Sequence, residues 1–151
     1  QSPAVQQRPV APSVRNRASI KRNLRAPGFV AVEITTLEGN KVLDIAVLRK
    51  TGEQYVLGHR TPQGSKAPHC SHTGLRLLRI ADGRQVDLVF PRDAGGHLVR
   101  EGEHVMFAEL TQGRKYSCVR LIPTDVVTLS LKSQNRELTY RIRFMKKSYL
   151  H

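Results

Sequence analysis

Tryptophan is absent from the 151-residue chain, and aromatic residues make up only 5% of it. A stacking platform for single-stranded nucleic acid needs several exposed rings among basic residues, and only Tyr116, Tyr140 and Tyr149 could serve. Of these, Tyr140 alternates to the apolar side of its segment. No apolar run approaches the ~18 residues that a membrane-spanning helix requires, so no transmembrane segment is expected. GxxxxGK, GxGxxG and GxSxG are all missing, which removes the usual phosphate-binding loops and the nucleophile elbow. Two cysteines, Cys70 and Cys118, allow one disulfide or none, and their spacing does not decide between these. The chain begins at Gln1 rather than at methionine, which points to processing or trimming and leaves the compartment open.

Acidic residues are the other scarcity. Twelve Asp plus Glu stand against 25 Lys plus Arg, for a formal charge of +13 and a pI near 10.6. A field of that sign attracts polyanions: nucleic acid, an anionic membrane surface or an acidic protein.

The excess is unevenly spread. Residues 1–27 hold four of the eight prolines, the six cations Arg8, Arg15, Arg17, Lys21, Arg22 and Arg25, and no acid. With so few apolar side chains this stretch cannot offset its own ordering entropy, and it reads as a basic, extended arm that neutralises phosphates. The expected organisation is an arm over 1–27, a β-domain over 28–146 and a short basic tail over 147–151.

From Phe29 onward the pattern has a period of two, the mark of half-buried strands. Val30, Val32 and Ile34 alternate before a Gly39-Asn40 turn, and Val42 to Leu48 forms the second arm of a hairpin. Gln54 to Gly58 reads as a third strand of the same meander. His59 to Thr73 is long, polar and rich in Pro, Gly and His, and it is the best loop candidate for a site.

Leu75 to Ile80 and Gln85 to Phe90 flank Asp82-Gly83 as a hairpin; Pro91 closes the strand, and Gly95-Gly96 reads as a loop tip. Glu103 to Leu110 is expected to be a strand, bounded by glycines, in preference to a short helix over Arg100 to Leu110 that its Glu, Met and Ala would tolerate. Val127, Leu129 and Leu131 alternate in one run, Leu138, Tyr140, Ile142 and Phe144 in another, separated by Ser133-Gln134-Asn135-Arg136. These are two strands with one oily and one basic face. About eight short antiparallel strands result, the pattern of an all-β small barrel or sandwich.

The candidate chemistry is sparse. His69-Cys70-Ser71-His72 could offer donors to Zn²⁺, with His59 or Cys118 as a fourth, but it lacks the paired spacing of a structural site, and no metal or other cofactor is expected. Ser71 beside His69, His72 and Asp87 has no activating arrangement, so no catalytic residues and no enzymatic activity are expected.

The remaining feature is a basic ribbon: Lys132, Arg141 and Arg143 on the polar hairpin face, continued by Lys146 and Lys147, with Arg114 and Lys115 at a nearby turn. Like charges so close repel unless a polyanion damps them. The expected function is a non-enzymatic binding and assembly subunit whose arm and ribbon contact RNA or DNA, alongside other protein subunits, in a ribonucleoprotein or capsid-like assembly.

Two resemblances offer alternatives. Ser71-His72-Thr73-Gly74 followed by LRLLRI resembles the SxxG signature of PilZ receptors, which implies a small barrel binding a cyclic dinucleotide. His69 stands where that signature carries Asp or Asn, and Arg17, Arg22 and Arg25 depart from its RxxxR spacing. The run from Gly113 to Ile142 is similar in pattern to small periplasmic β-domains. That likeness implies an exported structural subunit of a secretion or pilus machine, with its Pro-rich segment docking a neighbour.

Overall fold

The computed structural model describes residues 28–111 and 113–146, and there the chain is almost entirely β. Ten strands are present among the described residues: β1 (Ala31–Glu38), β2 (Lys41–Leu48), β3 (Gln54–Val56), β4 (Arg76–Ala81), β5 (Gln85–Pro91), β6 (Gly95–Arg100), β7 (Glu103–Met106), β8 (Tyr116–Leu121), β9 (Val126–Lys132) and β10 (Glu137–Met145). They form two antiparallel sheets, ordered β2-β1-β10-β9-β6-β7 and β3-β4-β5-β8. No helix among the described residues is long and apolar enough to cross a membrane.

The two sheets share one core because each strand turns its alternate residues inward. Val32 and Ile34 of β1, Val127, Leu129 and Leu131 of β9, and Leu138, Tyr140 and Ile142 of β10 face Leu78, Ile80, Val86, Leu88 and Phe90 of the smaller sheet. Tyr55 of β3 and Tyr140 of β10 meet edge to face across the interface, with ring centres 6.4 Å apart. Their hydroxyls need partners inside an apolar layer. Thr36 Oγ1 lies 3.0 Å from the Tyr55 hydroxyl, and Tyr140 donates to the Pro68 carbonyl at 2.8 Å. Burial, the largest cause, pushes the Tyr55 phenol up to about 12, with the nearby Asp44 charge acting in the same direction.

The β9–β10 hairpin follows its alternation, with Leu138 opposite Leu131 and Ile142 opposite Val127. A backbone bond from Ser133 N–H to the Arg136 carbonyl, 2.8 Å, closes the turn.

Three expectations are corrected. Gln54–Val56 does not extend the β1–β2 meander; it crosses to the smaller sheet and pairs with β4. Gly95-Gly96 is not a loop tip but the start of β6, laid against Ser130 and Leu129 of β9. At Gly96, φ is +92° and an added Cβ would lie 1.9 Å from the Thr128 carbonyl oxygen, so glycine is required by the closeness of the two backbones.

The third correction concerns Glu103 to Leu110, which splits after Met106 into a single helical turn, α1 (Phe107–Leu110). The chain must leave the larger sheet here to reach β8 in the smaller one. Phe107 drops into the core against Phe90, ring centres 4.7 Å apart, and the turn carries the backbone across. Ala, Glu and Leu accept helix at little cost.

The polar loop 59–73 is wired to the body rather than free. Gly58 and Ala67 N–H groups bond the Ala67 and His59 carbonyls, and Arg60 bridges Lys66. The Gln63 side chain accepts from Val47 N–H at 2.7 Å and donates to the Val47 carbonyl at 2.9 Å. It thereby occupies part of the open edge of β2, the kind of cover that keeps an edge strand from pairing with another chain.

Candidate polyanion-binding corner

The acid deficit is best located by asking where each cation sits. Residues 28–146 carry eighteen Lys and Arg against all twelve Asp and Glu, a net +6, while residues 1–27 add six cations and no acid. Arg8, Arg15, Arg17, Lys21, Arg22 and Arg25 of the expected arm, and Lys147 and Tyr149 of the tail, lie outside the described residues.

Within the β-domain the expected ribbon separates into parts. Lys132, Arg141 and Arg143 do share the outer face of the larger sheet, because each alternates with inward residues. Lys132, however, pairs with Glu137, six residues along β10 from Arg143, or roughly 20 Å at the usual strand rise. Arg143 donates from Nε to Glu33 Oε1 at 2.9 Å and is partly neutralised by its own chain. Arg141 lies between Thr35 and Thr128 in the cross-strand register and is in no ion pair among the described residues. Arg114 and Lys115 immediately precede β8, which lies in the other sheet.

A tighter cluster forms at one corner, where β1 begins, β2 and β10 end and the β4–β5 turn closes. Val30 N–H bonds the Met145 carbonyl at 2.7 Å, so the chain enters and leaves the β-domain side by side. Arg84, in the left-handed conformation at the end of the Asp82–Arg84 turn, reaches over this junction. Its guanidinium donates to the Arg49 carbonyl at 2.8 Å and the Phe29 carbonyl at 2.9 Å, and lies 4.5 Å from the centre of the Phe29 ring. Phe29 in turn meets Phe144 edge to face at 4.9 Å.

Every one of those Arg84 partners is uncharged, so the contacts hold the side chain without cancelling its charge. Arg49, Lys50 and Lys146 are exposed beside it. Of the corner's acids, Glu53 already accepts the Arg49 and Lys50 backbone N–H groups at 2.6 and 3.0 Å. Desolvation opposes these bonds, but their sum with the nearby cations holds its carboxyl below the usual range. Glu33 faces Arg143, and Asp82 opens the β4–β5 turn.

The polar loop 59–73 holds its candidate ligands apart. His72 lies 3.2 Å from Asp93, and the Cys70 thiol points at the Leu131 carbonyl, 3.4 Å away. Among the described residues no three His, Cys, Asp or Glu side chains gather as a metal site, and both cysteines are free thiols. Ser71 Oγ is buried without a hydrogen-bond partner. The arginines of the PilZ-like pattern fall outside the described residues.

Arg49, Lys50 and Arg84 were not singled out by sequence. Arg84 follows a turn dipeptide, and nothing in its neighbours announces a partner 55 residues away in the chain. No family model, curated protein or solved structure matches the chain.

Proposed function

We propose that this protein is a non-enzymatic binding subunit that holds nucleic acid between its basic N-terminal segment and the corner formed by Arg49, Lys50, Arg84 and Lys146. One observation carries the reading. The chain segment that carries the six cations of residues 8–25 enters the β-domain at Gly28, directly beside Arg84, whose side-chain contacts are all to neutral groups. A nucleic acid engaged by both positive regions would gain from counterion release at each phosphate contact made by Lys or Arg. Arg141 and the neutral Thr35 and Thr128 beside it extend the surface along the larger sheet.

The scarcity of exposed aromatics argues for contact to the phosphate backbone over base stacking, and hence for weak sequence preference. Assembly with other protein subunits fits such a role, since backbone contacts position a nucleic acid without reading it.

The test is electrophoretic retardation of RNA and DNA across a salt series, using the full chain and a full-length variant in which the six cations of residues 8–25 are glutamine. Binding should weaken steeply with salt, and the variant should lose up to roughly 4–5 units of the log–log slope, at ~0.7–0.9 per phosphate contact. No retardation of either nucleic acid at low salt would reject the proposal.

A further inference from the structure

We propose that the outer face of the β6–β7 hairpin binds a soft monovalent cation of the Cu(I) class through His97, His104 and Met106. The pairing of these strands sets His97 opposite Met106 and Val99 opposite His104. Residues two apart share a face, so His97, His104 and Met106 all project from the side opposite Leu98, which is buried in the core. The two imidazole ring centres are 5.1 Å apart with planes inclined at 41°.

Nitrogen-to-metal bonds of ~2.0–2.1 Å put a metal about 3 Å from each ring centre, so two rings on one tetrahedral ion sit about 5 Å apart. The observed spacing therefore asks only for side-chain rotation. Met106 is 44% exposed, and directly opposed residues have Cβ atoms about 4.5–5.5 Å apart, which brings its flexible thioether within range of the His97 ring.

The donor set selects the ion. Imidazole is a borderline ligand that suits copper among others, and the soft thioether tips the set toward Cu(I), whereas Mg²⁺, Ca²⁺ and Mn²⁺ favour carboxylate and water. No Asp, Glu or Cys joins the two histidines as a third ligand among the described residues. A divalent ion would then bring its full charge into a chain already at +13, and a monovalent ion brings half as much. Spacing in the sequence conceals the group, because His104 and Met106 come from one strand and His97 from its neighbour.

The experiment titrates the full-length protein, carrying Cys70→Ser and Cys118→Ser to remove competing thiols, with Ag(I) as a redox-inert probe. Heat and the imidazole resonances are recorded together, and Zn(II) is run in parallel. One Ag(I) per chain is expected, with the His97 and His104 resonances moving in step. His97→Ala or His104→Ala should weaken binding by more than the ~10–100-fold that loss of an outer-sphere partner costs, and Met106→Leu by a smaller factor. Because all three side chains lie on an outer sheet face, the variants should keep the fold, read from the amide spectrum. Absence of imidazole shifts, retention of affinity in both alanine variants, or equal affinity for Zn(II) would overturn the proposal.

Discussion

Two arginines at opposite corners of the same rim do similar structural work with opposite electrostatic results. Arg100, at the end of β6, donates from Nε and Nη2 to Asp125 at 2.8 and 2.6 Å, and from Nη2 to the Arg120 carbonyl at 2.9 Å. Asp125 is buried and also accepts the Ile122 N–H at 2.8 Å, so this pair fastens the β8–β9 connection to β6. Arg84 fastens the chain's entry to the β2 end and the β4–β5 turn, but through carbonyls and a ring. A carboxylate partner cancels charge and a carbonyl partner preserves it. On the proposed function the first corner, with Glu101 and Glu103 on the β6–β7 turn, would repel polyanions, while the second would admit them.

The largest effect should come from breaking the closed corner. Asp125→Ala leaves the Arg100 guanidinium, 12% exposed, without its carboxylate, and should cost about 3–5 kcal/mol in chemical denaturation. Nucleic-acid affinity of the folded fraction should not fall, because Arg100 keeps only the neutral Arg120 carbonyl as partner.

At the open corner, Arg84→Ala removes charge-assisted bonds and a cation–π contact from an exposed site, for about 1–2 kcal/mol, and should weaken polyanion binding as well. Arg84→Lys sharpens the point. It keeps the charge but loses the planar fork, so stability should fall while affinity stays close to that of the parent.

A smaller effect separates the core from both corners. Tyr55 ionises near 10.0 when exposed and near 12 in the fold, so the folded state retains this proton longer. Its contribution is fully present below pH 10 and is lost as pH rises toward 12, and a denaturation series across that range should show the decline. Tyr140, whose phenol burial pushes still further up, contributes to the same decline, so Tyr55→Phe should remove only part of it and the Tyr55→Phe/Tyr140→Phe pair most of it. Smallest of all should be Glu38→Gln, which ends an exposed pairing with Arg136 far from either corner. Its midpoint of denaturation should barely move.

The sequence made the hairpins legible because their partners are adjacent in the chain and their alternation is regular, as in Leu129 against Tyr140. It was less informative wherever the chain changes sheet. Gln54–Val56 has the same alternation in either sheet, and Phe107 is apolar whether it ends a strand or plugs a turn. Gly95-Gly96 carries the composition of a turn, yet its reason is a backbone contact with Thr128, 32 residues from Gly96 in the chain.

The candidate site was legible only as a sum of charges. Composition counts Arg84, Arg100 and Arg143 alike, and only the fold distinguishes a carbonyl partner from Asp125 or Glu33. Lys132 and Arg143 looked contiguous because strand length along the sheet is invisible in a list of residues.

The most direct measurement is the salt dependence of RNA affinity, by fluorescence anisotropy, for two full-length variants that differ only in which corner is changed. Arg49, Lys50 and Lys146 become glutamine in one, and Glu101 and Glu103 become glutamine in the other. The account predicts a slope shallower by about 2–3 units for the first, at ~0.7–0.9 per lost phosphate contact, and no change for the second. Equal slopes in both variants and the parent would contradict it.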